Sequence, residues 1–322
     1  MAGFSTFTNE HLIRSQVWST QLKEALEHDL MGTKYVDMIS EFTDGDVINI
    51  PSIGQAEALD YVEDTPIVYN AMDTGNFQFS ITDYVQSGTY ITNKMKQDTF
   101  YLDRLTSSFV PKQSRAIMAR IERDVFAVGP NGQTPSDLNN INGAPHRFLA
   151  QGGGSANLMS PQDFALAKYS LQKAAVPMTN LVAIVDPSVE YQLSTLTNLV
   201  NVSNNPRWEG IVRDGMTTGM KFIMNIYGFD VYVSHFLKTG VTETISGQNA
   251  TNGVANLFFS ASSDVLPFVG QLRQAPRVDS EYNKDMQREE YVTTARYGFK
   301  LYRPENLVTV ISEGGTIAPS YT

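Results

Sequence analysis

Four carboxylates crowd one short stretch of this chain, Glu57, Asp60, Glu63 and Asp64. Carboxylate pairs held about 5 to 10 Å apart perform the acid and base steps of glycoside hydrolysis. That chemistry needs one carboxyl desolvated, so that it keeps its proton near neutrality. The flanking residues offer no core to desolvate it, and an exposed acidic tip is the better reading. The four histidines, His11, His28, His146 and His235, are widely separated and lack the ligand spacing of a zinc or hydrolase site. They read as surface or interface residues. Asp44-Gly45-Asp46 begins like a calcium loop, but Val47 and Ile48 occupy the following ligand positions, so a turn is expected. Neither Gly-x-x-x-x-Gly-Lys-Ser/Thr nor Gly-x-Ser-x-Gly occurs. Gly152-Gly153-Gly154-Ser155 lacks the Lys and the following helix signal of a phosphate cradle and reads as a linker. No catalytic, cofactor-binding or metal-ligating residue is expected. Trp18, on an apolar stripe, reads as packing, and Trp208, between Arg207 and Glu209, as a candidate partner contact.

The carboxylates make sense as part of a larger pattern. Between Tyr35 and Asn93 lie ten Asp and Glu and no Lys or Arg, which equals the formal net charge of −10. From Lys94 to Arg123 the balance reverses, with seven bases against three acids. An acidic arm too slender for its own core needs a surface to lie on, and a basic face follows it directly. A neighbouring copy can supply the match more easily than the same chain folding back.

Composition narrows the class. A hydrophobic fraction of 42% over 322 residues excludes wholesale disorder and allows one large or two ordinary domains. A charged fraction of only 18%, with frequent Gly, Asn, Thr and Ser, favours a strand-rich fold. Cysteine is absent, which removes disulfides and thiolate metal sites. The start, Met1-Ala2-Gly3-Phe4, has no basic n-region or apolar h-region, and no run approaches the roughly 20 apolar residues that span a bilayer. The expectation is a soluble, unsecreted protein without membrane contact. A pI near 4.9 argues against tight binding to a phosphate backbone.

Several elements must position these charges. Leu12, Ile13, Val17, Trp18, Leu22, Leu26 and Leu30 recur at helical spacing, with Thr8 or Asn9 as caps and Gly32 as a stop. Val47 to Ile50 reads as a short strand ended by Pro51. Phe77, Phe79 and Ile81, then Tyr84, Val85, Tyr90 and Ile91, read as the extended runs of one long two-stranded excursion. From Pro111 to Val128 the period turns helical. Ile117, Met118, Ile121, Val125 and Val128 share one side of the wheel, and Lys112, Arg115, Arg120 and Arg123 the other. Ser107 and Ser108 are candidate caps, and Pro111 suits a first turn. Residues 129 to 155 read as a long irregular loop. Ser160-Pro161 opens a helix through Ala175, Leu181 to Val185 is a buried strand, and Pro187 starts another helix. Ile226 to Ser234 forms two strands joined at Gly228. A polar loop from Lys238 to Gly253 precedes strands at Ala255 to Ala261, Arg273 to Tyr282, Glu289 to Tyr302 and Val308 to Ile311.

The order of these pieces resembles the major capsid protein of tailed double-stranded DNA bacteriophages, the family with the HK97-type fold. Val17-Trp18-Ser19 with Leu22 and Leu26 resembles its N-terminal arm, and Gly45-Asp46-Val47-Ile48-Asn49-Ile50-Pro51 its lead-in to the extended E-loop. Ala116 to Phe126 is similar to the spine helix, Tyr227 to Ser234 to a strand pair of the A-domain, and Tyr297-Gly298-Phe299-Lys300-Leu301 with Arg303-Pro304 to the closing strands. The resemblance implies an α+β fold with an N-terminal arm (1–40), an E-loop hairpin (41–96), a P-domain with the spine helix (97–159 and 271–303), and a mixed α/β A-domain (160–270 and 304–322).

Functionally, the resemblance implies a structural protein without a catalytic step. Copies would assemble as hexamers and pentamers into an icosahedral shell around phage DNA, which the acidic chain would enclose without tight sequence-specific binding. The virion capsid would be its place, after assembly in the host cytoplasm. The expected assembly contacts are Glu57, Leu59, Asp60, Tyr61, Glu63 and Asp64 of the arm against Lys112, Arg115, Arg120 and Arg123 of the helix on a neighbour. The chain begins almost at the arm helix, so the expected scaffold protein is separate. A portal protein is the other implied partner, and a decoration protein on the loop from Lys238 to Gly253 stays open. Some relatives join an E-loop Lys covalently to an Asn on a neighbour. The arm here has no Lys, so a noncovalent shell is expected. The same fold serves encapsulin-like nanocompartments, and a soluble β-rich enzyme is the third reading.

Overall fold

The computed structural model describes residues 32–39, 47–53, 60, 63–64, 74–98, 102–153, 157–194 and 222–313. The expected N-terminal helix, His11, His28, the Asp44-Gly45-Asp46 turn and both tryptophans lie outside the described residues.

Three sheets organise the described residues. A two-stranded ribbon pairs β2 (Val47–Ile53) with β3 (Thr74–Ser80). A four-stranded sheet takes β1 (Val36–Met38), β11 (Phe268–Asn283), β12 (Arg288–Leu301) and β4 (Asp83–Thr92), in that spatial order. The largest sheet runs β5 (Arg147–Leu149), β13 (Val308–Glu313), β10 (Gln248–Ser260), β6 (Leu181–Val185), β8 (Phe229–Val233) and β7 (Phe222–Ile226), with β9 (Val241–Ile245) also paired to β10. The α-helices among the described residues are α1 (Asn93–Asp98), α2 (Leu102–Gly132), α3 (Pro161–Lys173) and α4 (Pro187–Ser194).

The largest sheet is covered on both faces, which explains its unbroken apolar strands. Leu181, Ala183 and Val185 point into a core with Phe164, Leu171, Val189, Phe229 and Phe258, supplied largely by α3 and α4. Their alternates Val182 and Ile184 point into a second core with Ile117, Ile121, Val125 and Phe126 of α2 and with Phe259, Phe268 and Tyr297. One helix thus seals the back of the largest sheet and one face of the four-stranded sheet together. Its C-terminal end sits close enough that a Cβ on Gly129 would lie 2.8 Å from Leu307 Cδ2, and one on Gly132 2.8 Å from Leu301 Cβ.

Several expectations hold with wider bounds, and others change. The helix expected from Pro111 spans Leu102–Gly132, about 46 Å at the α-helical rise, so Pro111 is interior and Ser107 and Ser108 are helical residues, not caps. A proline there removes one ladder hydrogen bond, which packing in the second core must offset. Pro51 does not end its strand. It sits inside β2 opposite Asn76, tolerated because each strand of a two-stranded ribbon has a free edge. The run from Tyr84 to Ile91 is not the arm's return strand: β4 pairs with β12 from Tyr297↔Asp83 to Arg288↔Thr92, and the ribbon is β2 and β3 alone. The segment after Gly129 is no free loop, since it contributes buried β5, parallel to β13. Within Lys238 to Gly253 the expected polar loop is a hairpin. Ser246 (φ 51) and Gly247 (φ 83) form its two-residue turn, the backbone that suits a right-twisted pair. Tyr227 (φ 51) and Gly228 (φ 92) do the same between β7 and β8, as expected around Gly228.

Candidate assembly surface

The acidic tip is solvent-facing where it is described: Asp60, Glu63 and Asp64 are exposed, with Glu63 and Asp64 in a turn. Glu57, Leu59 and Tyr61 lie outside the described residues. An exposed turn cannot desolvate a carboxyl as acid and base work requires. Among the described residues no group of three His, Asp or Glu is placed to hold a metal ion, and no helix is long and apolar enough to cross a membrane.

The arm's root is fixed to the end of β12. Phe79 and Ile81 are buried with Ile50 and Phe77 packed on them, a small core separate from the main ones. Lys300 Nζ donates to the Gln78 carbonyl at 2.7 Å and lies 4.8 Å from the Phe77 ring centroid, while Phe77 meets Tyr302 edge to face at 4.9 Å. At Gly298 a Cβ would fall 2.9 Å from the Ser80 carbonyl oxygen and 3.0 Å from Ile81 Cα. The glycine of the Tyr297-Gly298-Phe299 run is what lets the arm root approach.

The two faces of α2 are as the spacing requires. Ile117, Ile121, Val125 and Phe126 are buried, and Met118 and Val128 pack partly against them. On the other side Arg120 and Arg123 are exposed, and Lys112 and Arg115 are half-buried. Arg120 is not idle: its Nε donates to Asp124 Oδ2 at 3.0 Å, one turn on. The same oxygen accepts the Tyr297 hydroxyl at 2.6 Å. Burial first, and this bond second, push the Tyr297 phenol far above its ordinary value. Asp83 on β4 is raised by burial and then by the Asp124 charge, against the pull of Arg120. Helix and central strand are therefore joined at one polar knot, whose charges reach Asp83 on the edge strand. On the buried flank of α2, Glu122 accepts the Gly32 N–H at 2.7 Å and fixes where the chain enters β1.

A second polar centre escaped the sequence reading. Arg147 of β5 is 0% exposed and forms a two-pronged ion pair with Glu243 of β9, Nε to Oε2 at 2.9 Å and Nη2 to Oε1 at 2.5 Å. Its Nη1 donates to the Pro130 carbonyl at 3.0 Å, capping the end of α2. Burial raises the Glu243 carboxyl, but Arg147, the Ser136 N–H and Lys238 together outweigh it and hold the group below its ordinary value. The hint in sequence was a cation beside Phe148-Leu149-Ala150, where an unpaired charge would not be tolerated. The partner is 96 residues away and no local pattern points to it. His146, next in the chain, is fully buried, and its Nδ1 lies 3.1 Å from the Ala144 carbonyl. His235 is exposed.

This architecture matches that of known capsid structures. The capsid protein of Cyanophage P-SCSP1u superposes with a TM-score of 0.71 at 14% identity, over 95% of this chain and 94% of that one. The Cyanophage Pam1 capsid gives 0.68 at 15% identity, over 98% and 100%, and the structure from Mycobacterium phage Che8 gives 0.66 at 15% identity, over 92% and 97%. No curated protein matches the chain at a significant level. The family model described as phage capsid protein matches residues 76–310, from the arm root to the middle of β13. An α+β chain with a spine helix and a rooted arm belongs to the phage capsid protein family, as a major capsid protein of HK97 type that forms the virion shell.

Proposed function

We propose that copies of this chain form hexamers and pentamers that close into an icosahedral shell around double-stranded DNA, held by noncovalent contact between the acidic arm of one copy and the basic face of α2 on the next. The observation that carries this reading is the segregation of charge. Ten carboxylates and no base lie between Tyr35 and Asn93, and Arg120 and Arg123 are exposed on the side of α2 turned away from its core. Each exposed pair contributes only about 0 to 1 kcal/mol, so charge sets register and apolar burial along the arm, with Leu59 and Tyr61, sets strength. Repetition over every subunit multiplies small terms. Net acidity suits a container filled with DNA, because a strongly basic lining would trap the polymer during filling. A separate scaffold protein and a portal protein complete the assembly, which takes place in the host cytoplasm.

Charge reversal tests the contact. Glu63→Lys with Asp64→Lys should reduce particle yield in sedimentation and electron microscopy, and adding Arg120→Glu with Arg123→Glu should restore part of it. Normal shells from the first variant would refute the pairing. Particles purified with DNA, not with an enclosed enzyme, separate this reading from the nanocompartment one.

A further inference from the structure

The longest edge strand among the described residues is β4. It ends the four-stranded sheet, and among the described residues nothing pairs with its outer side. Natural sheets guard such an edge with Lys, Pro, bulges or brevity. Here Asp83-Tyr84-Val85-Gln86-Ser87-Gly88-Thr89-Tyr90-Ile91-Thr92 has ten residues, no Lys, no Pro and one charge, at its first position. Its register against β12 is unbroken, whereas β11, inside the same sheet, carries two irregularities. This long edge strand carries none of those guards.

We propose that β4 is an interface for a second copy of itself, paired antiparallel across a two-fold axis centred on Ser87. Two antiparallel neighbouring strands related by a two-fold must present the same face, so a residue pairs with another of like parity. Centring on Ser87 places Tyr84 opposite Tyr90 of the partner subunit, twice over by symmetry. These are the two large side chains that β4 leaves in water, 59% and 57% exposed, on the face away from α2. Cross-strand aromatic pairs are among the stabilising ones, and Tyr90 is already steadied by Arg288, whose guanidinium carbon lies 4.5 Å from its ring centroid. On the other face Val85 meets Thr89, and the lone carboxylate Asp83 meets Ile91, so no like charges oppose. Gly88 opposite Gln86 leaves the middle uncrowded. The strand is complementary to itself in this register, and the inference rests on the shell reading, since closed shells supply two-fold contacts between identical subunits.

The absence of cysteine makes the test direct. In the proposed pairing, residues 84 and 90 of facing copies have Cβ atoms about 4.5 to 5.5 Å apart, within easy adjustment of disulfide geometry. Within one copy they are roughly 20 Å apart at six strand rises, and cannot bond. Shells of the double variant Tyr84→Cys/Tyr90→Cys, mildly oxidised, should run as linked dimers and no longer chains on a non-reducing gel, because both bonds join the same two copies, and each single variant as monomer. Should the double variant fail to assemble, Ser87→Cys, a near-isosteric change, should give dimers alone through its own symmetry mate. Intact shells with no cross-link from either design overturn the pairing while leaving the shell reading standing, and so does equal cross-linking by a single variant at 84 or 90. A wild-type chain that forms no particles overturns both readings together.

Discussion

Arg147 shows how much one residue can hold. Its guanidinium reaches β9 through Glu243 and α2 through the Pro130 carbonyl, and it is sealed from water. Removing one partner of such a pair leaves a buried charge uncompensated, at a cost of about 3 to 5 kcal/mol. Arg147→Met should therefore lower the urea midpoint sharply, and Arg147→Met with Glu243→Met should recover much of the loss. A second expectation concerns pH. Burial holds the His146 imidazole below its ordinary 6.5, against weaker upward pulls from the Ala144 and Glu305 carbonyls and the Glu305 charge. The unfolded chain then binds a proton that the folded chain refuses. Stability is full above 6.5 and falls as pH drops toward the lower folded value. Glu243 adds a later step, its contribution present above its ordinary 4.5 and lost as pH falls through its depressed folded value. In equilibrium unfolding between pH 7.5 and 5, His146→Gln should flatten the first decline; an unchanged slope would assign it elsewhere.

At the scale of elements, the arm root is the place where a single methyl matters. Gly298→Ala would drive a Cβ into Ser80 and Ile81 backbone atoms, which do not move as a side-chain tip does. A loss of about 1 to 3 kcal/mol is expected from such overpacking, read as a lowered Tm, together with faster proteolysis of the arm. Period alone exposed many elements. The two faces of α2, buried β6 and the pair β11 and β12 all follow from apolar spacing that burial then obeys. Tyr84 to Ile91 was recognisable as a strand for the same reason, but period 2 does not name a partner, and β12 lies some two hundred residues on. Pro51 and Pro111 misled because local propensity yields to pairing and packing. Ser246-Gly247 was a missed opportunity: Val241 to Ile245 alternates buried and exposed around a turn dipeptide. Of the assembly surface, the sign of each face was legible; Arg120's bond to Asp124 and the Arg147 centre required the folded chain.

For the whole molecule, the missing lysines of the arm carry a plain consequence. Particles boiled in detergent should migrate as one band of 35.7 kDa, without a covalent ladder. Raising salt should weaken the arm contact, since exposed charges are screened beyond about 8 Å near 0.15 M, yet leave the apolar share of the interface in place. Topology has a different consequence, in time. β1 at Val36 pairs with β11 at Phe268, so 268 − 36 = 232 residues must follow before the four-stranded sheet can begin to close. At roughly 5 to 20 residues per second of synthesis, that is an interval of about 10 to 50 seconds. During it β1 and β4 have left the ribosome with unpaired edges while their partners do not yet exist. Long-range pairing of this kind is slow and open to aggregation, so anything that shields the first third of the chain until the last third arrives should raise the soluble yield of subunits.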